Sequence, residues 1–324
     1  MGEEELSSRP ALRVESLRKA YGPLVALDDV SFAVPPGRTF AYLGPNGAGK
    51  TTTIRILCGL LERDGGAVSI LGRDVAREPV FVKARIGVVT EESNLYPELS
   101  CRRNLEYLGE LYGLRRARRR ERAEELIERF GLAEKAAAPF GELSRGMKRR
   151  LSVAAALIHR PQVLFLDEPT AGLDVPSAKS LRQLVSEIGR GGVTVFLTTH
   201  NLFEAEELAD EVAVLIRGRI ASRGSVAEIK RRVGGARSVS VRFSGAPRAD
   251  ALRASPPAIL SARFDGERWF LDVGDFHEAL RQLIEFSRRE GLRLEELGTR
   301  EPTLEEAFLA LLAGGWTEDG RGPP

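Results

Sequence analysis

Gly44-Pro-Asn-Gly-Ala-Gly-Lys-Thr51 leaves a chain few ways to fold. It fits the pattern G-x-x-x-x-G-K-[ST] in full. It stands between an apolar run, Thr39-Phe-Ala-Tyr-Leu43, and a segment of helical spacing that runs from Gly49 to about Leu61. A strand that turns through such a loop into a helix aims backbone N–H groups and the positive helix terminus at one point, which is a phosphate site. Gly44, Pro45, Asn46, Gly47, Ala48 and Gly49 supply the cradle. Lys50 has the reach for β- and γ-phosphates, and Thr51, followed by Thr52, offers a hydroxyl to Mg²⁺.

Two further apolar runs end in polar residues of the kind such a site needs. Val163-Leu-Phe-Leu166 stops at Asp167 and Glu168, and Thr194-Val-Phe-Leu-Thr-Thr199 stops at His200. Neither run alternates, as expected for strands covered on both faces, and helical segments lie between them, so the sheet is parallel. A carboxylate at the carboxyl end of a central parallel strand faces the ligand crevice. Asp167 suits Mg²⁺, and Glu168 suits the polarisation of an attacking water. His200 ends its strand at the level of a terminal phosphate. Upstream, Ile86-Gly-Val-Val-Thr-Glu-Glu92 reads as another strand, with Glu91 just past its end.

Leu143-Ser-Arg-Gly-Met147 opens a basic helix, with the Ser144 hydroxyl and the bare backbone of Gly146 at its N-terminus. That is a second anion site in a chain that already has a better one. The order of GPNGAGKT, LSRGM, VLFLDEPTAGLD and TTH resembles the ATP-binding subunit of an ABC transporter, over about residues 11–232. The resemblance explains the second site. In that family two copies pack head to tail, and each Leu-Ser-x-Gly turn caps ATP held by the other copy's phosphate loop. It implies that Ser144 and Gly146 contact ATP in trans, that Tyr21 stacks on adenine, that Asp174 lies in a dimer-contact loop, and that His200 reaches the γ-phosphate. It also implies Mg²⁺ as cofactor, held at Thr51, Asp167 and Glu91, with Glu91 standing where the family usually has Gln. Arg145 and Met147 depart from the commoner LSGGQ, and Arg145 adds a cation beside the turn.

The fold implied is α/β: a RecA-like P-loop core with an antiparallel β part near the N-terminus and a helical subdomain over about 92–160. After a flexible start (1–10) and the first domain, 11–232, a texture change at Arg231-Arg-Val-Gly-Gly-Ala236 marks a second domain, 233–315, followed by a flexible tail (316–324). Its strand and helix patterns, with a short helix in PRADALRA, follow the order β-α-β-β-α-β and then α, the ferredoxin-like order. The ending REPTLEEAFLALL resembles the drug- and antibiotic-resistance branch of ABC exporters, whose partner is an ABC-2-type permease on a separate chain. The loop Glu92–Leu99, apolar at Leu95, Tyr96 and Leu99, is a candidate docking surface for it.

Charge and cysteine content narrow the alternatives. With 48 basic and 46 acidic residues the formal net charge is +2, no basic excess of the kind nucleic-acid binding requires. The Arg-rich run Leu114–Glu125 meets acidic residues within one turn and reads as a solvated helix face. Cys58 and Cys101 form no CxxC pair, which argues against zinc, and Cys58 reads as a core residue. No apolar run nears the ~20 residues that span a bilayer. The expected location is the cytoplasmic face of the membrane, through the permease. The alternative, a soluble ABC ATPase of translation or DNA repair, usually brings two cassettes or a long coiled coil, and the sequence has neither.

Overall fold

The structure, a computed structural model, describes residues 9–233, 237–245, 259–300 and 303–313. They form two compact units that divide after Ser225.

The first unit is built on a six-stranded sheet. β3 (Thr39–Leu43), β6 (Ile86–Val89), β7 (Val163–Asp167), β8 (Thr194–Thr199) and β9 (Glu211–Ile216) run parallel. β10 (Arg219–Gly224) closes one edge antiparallel to β9, and the order is β10-β9-β3-β8-β7-β6. Every residue of β3, β7 and β8 is buried, as the unbroken apolar runs require. A second sheet, β1 (Leu12–Tyr21), β2 (Leu24–Val34), β4 (Gly65–Ile70) and the short β5 (Arg73–Asp74), is antiparallel in the order β2-β1-β4-β5. The two share one core. Phe32 of β2 stacks on Phe40 of β3 and Phe196 of β8, with centroids 5.2 and 5.7 Å away, and Tyr42 and Phe165 tilt against Phe196 at 5.5 and 5.7 Å.

Helix α1 (Lys50–Leu57) follows the phosphate loop and is shorter than its apolar spacing implies, because Gly59, at φ +64°, turns the chain out before Leu60. After α2 (Pro79–Lys83), the helical expectation for 100–131 resolves into α3 (Cys101–Leu111) and α4 (Arg116–Arg129), broken at Gly113 in the left-handed region. On α4 the Arg-rich run is an outward face laced with ion pairs such as Arg118–Glu121, and Ala123, Leu126 and Ile127 point inward. Cys58 is buried in the core. α5 (Arg145–Ala156), α6 (Val175–Arg190) and α7 (Leu202–Leu208) complete the unit.

The second unit begins with α8 (Val226–Val233), a few residues ahead of the textural break in the sequence. α8 packs on α10 (Leu304–Leu312). Strands β11 (Arg237–Phe243), β12 (Ile259–Phe264), β13 (Trp269–Val273) and β14 (Leu294–Arg300) form an antiparallel sheet in the order β12-β13-β11-β14, the ferredoxin-like arrangement. α9 (Phe276–Arg289) buries Ala279, Leu283 and Phe286 with Val239, Val241, Trp269 and Leu271. The short helix expected in PRADALRA lies outside the described residues.

Phe196 is fully buried and meets four aromatic neighbours from both sheets. Phe196→Ala opens a cavity where the two sheets join and is expected to destabilise the first unit by about 3–5 kcal/mol, measured by urea unfolding. A loss under about 1 kcal/mol would mean that the cluster does not hold the sheets together.

Candidate functional site

Three adjacent strands carry the candidate residues. β3 pairs with β8 so that Leu43 faces Thr199, and β8 pairs with β7 so that Thr198 faces Asp167. The next residues of the three strands therefore emerge at the carboxyl edge within one residue of each other, Gly44 level with His200 and Glu168 level with Thr199. Backbone bonds tie the exits together, Gly44 N–H to Thr199 O at 3.3 Å and Glu168 N–H to Thr198 O at 3.1 Å.

The loop between β3 and α1 has its two inner glycines in the left-handed region, Gly47 at φ +78° and Gly49 at φ +110°. Such alternation turns successive N–H groups toward a common anion. Two of its glycines have no room for a side chain. A Cβ on Gly44 would lie 2.5 Å from Leu215 O, and one on Gly49 would lie 2.6 Å from Ala26 O. Strand β2 is thereby pressed against the loop. Tyr21, at the hairpin end of β1 paired with Leu24, keeps an exposed ring with the Lys19 ammonium 5.7 Å from its centroid. Lys50 is 6% exposed, and its ammonium donates to Gly44 O at 2.7 Å and Pro45 O at 3.3 Å. Thr51 is exposed in the first turn of α1 and Thr52 is half-buried beside it.

Glu168 joins the three strand exits. One carboxylate oxygen is 3.1 Å from the Lys50 ammonium, and the other is 2.8 Å from His200 Nδ1 and accepts from the His200 N–H at 3.4 Å. Its backbone sits at φ +46°, a conformation that costs a non-glycine residue on the order of 1 kcal/mol or more. Asp167, buried, accepts a hydrogen bond from the Thr198 hydroxyl. Among the described residues no group of three or more His, Cys, Asp or Glu is arranged to hold a metal. Mg²⁺ that arrives on phosphate oxygens needs only one or two protein donors, and Thr51 and Asp167 suit that use. The Glu91 side chain is exposed just past β6.

Ser144 and Asp174 stand elsewhere on the unit as helix caps. The Ser144 oxygen accepts from Met147 N–H at 3.3 Å and keeps its own proton to donate. Asp174 accepts from Ser177 N–H at 2.8 Å, which holds its carboxyl below the usual range. Gly146 is buried, and a Cβ there would lie 2.6 Å from the Ser177 hydroxyl oxygen. Arg145 packs its guanidinium onto Gly172 of the AGLD loop of its own chain, where a Cβ on Gly172 would be 2.6 Å from Arg145 Cζ. Of the residues read from the sequence, the structure thus brings together the phosphate loop, Asp167, Glu168 and His200, and sets Ser144, Gly146 and Asp174 in a second group around the starts of α5 and α6.

The sequence-profile match to the family described as ABC transporter covers residues 27–171. The chain is 41% identical over 303 residues to a daunorubicin resistance ATP-binding protein of Streptomyces coeruleorubidus, a match covering 93% of this chain and 95% of that one. This chain belongs to the ABC transporter ATP-binding proteins. It is 33% identical to the linearmycin resistance ATP-binding protein of Bacillus subtilis (93% of this chain, 97% of the other). It is 38% identical to the Nod factor export ATP-binding protein I of Ralstonia nicotianae (94% and 95%). A solved ATP-binding subunit of an ABC transporter superposes with a TM-score of 0.63 at 32% identity, over 69% of this chain and 93% of that one. A dimeric ATP-binding cassette in a post-hydrolysis state, bound to ADP and Pi, superposes with a TM-score of 0.61 at 26% identity, over 66% and 98%. The chain is an ATPase of this family.

Sequence reading did not find Arg149, Asn104 or Glu204. Arg149 was one basic residue among several. Asn104, fully buried, pins the loop before α3, taking Tyr96 N–H at 2.9 Å and donating to Tyr96 O and Leu99 O at 3.0 Å each. Glu204, one acid of Glu204-Ala-Glu-Glu207, is 1% exposed on the inner face of α7. Burial raises its pKa, against hydrogen bonds from Thr199 and Thr170, and the charge of Glu168 raises it further. A raised folded-state pKa makes Glu204 favourable only while protonated. Stability is therefore lost as pH climbs from the unfolded value, about 4.3, toward the folded one. Glu204→Gln is neutral at every pH, so it is expected to match the parent Tm near pH 4 and exceed it by a few degrees at pH 8. A Tm difference that does not change with pH would contradict the buried acid.

Proposed function

We propose that this chain powers an exporter, as one of two identical ATP-hydrolysing subunits attached to a membrane permease on a separate chain. The observation that carries the catalytic part is the Glu168 carboxylate, set between Lys50 and His200 at the end of β7. Export is supported by relatives named for drug resistance and for Nod factor export, which match nearly the full length of this chain, second unit included. No helix among the described residues is long and apolar enough to cross a membrane, which fits a peripheral place on its cytoplasmic face.

In this reading the N–H groups of Gly47, Gly49, Lys50, Thr51 and Thr52 and the ammonium of Lys50 take up the charge of the β- and γ-phosphates. Tyr21 presents its ring to the adenine. Thr51, Asp167 and Glu91 would hold Mg²⁺, whose chemistry there would be counter-charge for the phosphates. Lys50 turns from the carboxylate to the phosphates, and Glu168 is left to accept a hydrogen bond from the attacking water. His200, fixed through Nδ1 by Glu168, keeps its other ring nitrogen for the γ-phosphate. Ser144 and Gly146 cap the ATP of the partner copy, and Asp174 holds the contact loop. The permease meets the first unit at the loop Glu92–Leu99, beside an open groove of about 210 Å³ between Val88, Leu95, Leu108 and Ala155.

Glu168→Gln is expected to bind ATP with near-parent affinity and hydrolyse it at least about 100-fold more slowly. Lys50→Ala is expected to weaken binding itself. Single-turnover hydrolysis and fluorescent-nucleotide titration separate the two, and identical behaviour of the variants would overturn the division of roles. Tagged Glu168→Gln protein, recovered with ATP from detergent-solubilised membranes of the source cells, is expected to bring down a polytopic membrane protein in stoichiometric amount. Recovery of soluble partners alone would remove the transport assignment.

A further inference from the structure

Arg149 lies in the second turn of α5, outside every group of residues assigned above to nucleotide, metal or partner copy. Its guanidinium is wrapped in backbone carbonyls. Nη2 donates to Asp167 O at 2.6 Å and Glu168 O at 2.9 Å, and Nε donates to Pro169 O at 2.8 Å. Nη1 donates to Glu91 O at 3.3 Å and to Thr90 O. Five carbonyls from two segments, the turn after β7 and the turn after β6, thus converge on one side chain. Burial lowers its pKa, and the charges of Asp167, Glu204, Glu91 and Glu168 oppose that. A guanidinium remains protonated in proteins, so all its donors stay available.

The carbonyl oxygens matter because of the backbone they fix. Glu168 stands at φ +46°, in a conformation a glutamate does not choose, and strained residues persist only where the surroundings hold them. On the N–H side Glu168 is held by Thr198 O. On the carbonyl side Glu168 O accepts from Ala171 N–H at 3.2 Å and from Arg149, and Arg149 alone of the two also fixes the carbonyls before and after it. A planar fork with five donors can span both turns at once, and a single ammonium cannot.

We propose that Arg149 is a positioning residue for the hydrolytic step. It clamps the left-handed turn at Glu168 so that the carboxylate meets Lys50 and His200, and by the same guanidinium it ties that turn to the segment leading into the loop Glu92–Leu99. A shift of that loop therefore reaches the carboxylate through one side chain. The proposal rests on Glu168 being the group that polarises water, and the test keeps the two ideas apart.

The test compares the full-length chain with Arg149→Ala, Arg149→Lys, Glu168→Gln and the double variants, reading kcat and KM for ATP and single-turnover hydrolysis. Arg149→Ala is expected to lower kcat at least about tenfold with KM within about twofold. Arg149→Lys, which keeps one donor site but no fork, is expected to fall between it and the parent. In the Glu168→Gln background, Arg149→Ala is expected to change the residual rate by less than about twofold, because the group it positions is already gone. If Arg149→Ala lowers the residual rate there by as much as in the parent, Arg149 supports the fold in general and the proposal fails. If Glu168→Gln itself keeps the parent rate, the assignment of Glu168 fails instead. Should Arg149→Ala not fold, Arg149→Lys carries the same comparison, and a kcat equal to the parent's overturns the clamp.

Discussion

Residue-against-residue pairing of β3, β8 and β7 decides where the chemistry can occur. Each strand leaves the sheet into a different element: β3 into the phosphate loop, β8 into His200 and α7, β7 into Glu168 and the AGLD loop. Parallel register brings the three exits to within one residue of each other, and fully buried strands keep them there. A shift of one residue in either pairing would move Glu168 by about 3.3 Å relative to its neighbours, enough to separate it from Lys50 or His200. The aromatic cluster around Phe196 lies beneath this register. The packing that joins the two sheets therefore also bears on the spacing of the charges above it.

The site uses strain as well as register. Glu168 is held at positive φ by a strand carbonyl on its N–H and by the Ala171 N–H and a guanidinium on its carbonyl. Its carboxylate contacts a cation at the start of α1 and an imidazole just past β8. Ser144, Gly146, Arg145 and Asp174 form a separate group in which the Leu143–Met147 turn meets the AGLD loop and the start of α6 within one chain, through Arg145 on Gly172 and Gly146 against Ser177. In a head-to-tail pair that group would serve the partner's phosphate loop. Motion of either loop would then be felt at both nucleotide sites.

What the sequence makes legible is what is local. Gly44–Thr51 states its own conformation through glycine spacing and the flanking strand and helix. Asp167, Glu168 and His200 are marked by position, the first polar residues after buried apolar runs. The antiparallel second unit is readable from alternation in β11 and β13. The parts that escaped reading depend on what lies across the fold. Arg149 is indistinguishable from Lys148 and Arg150 until β6 and β7 are placed beside α5. Glu204 resembles its exposed neighbours until α7 turns one face inward. The end of α1 at Leu57, just before the left-handed Gly59, is hidden by the apolar Leu60 and Leu61, whose spacing continues a helix that the backbone does not.

In the proposed assembly the Ser144 turn of one copy covers the phosphate loop of another. Ser144→Cys and Asn46→Cys, each introduced separately into Glu168→Gln chains, provide the most direct measurement; the native thiols, Cys58 and Cys101, are both buried. Mixed in equal amounts with Mg²⁺, ATP and a mild oxidant, the two chains are expected to form a disulfide-linked dimer on non-reducing gels. The Ser144→Cys/Asn46→Cys link should be strong with ATP and weak without it. A mixture that gives no ATP-dependent link, although both chains bind ATP, would contradict the shared site.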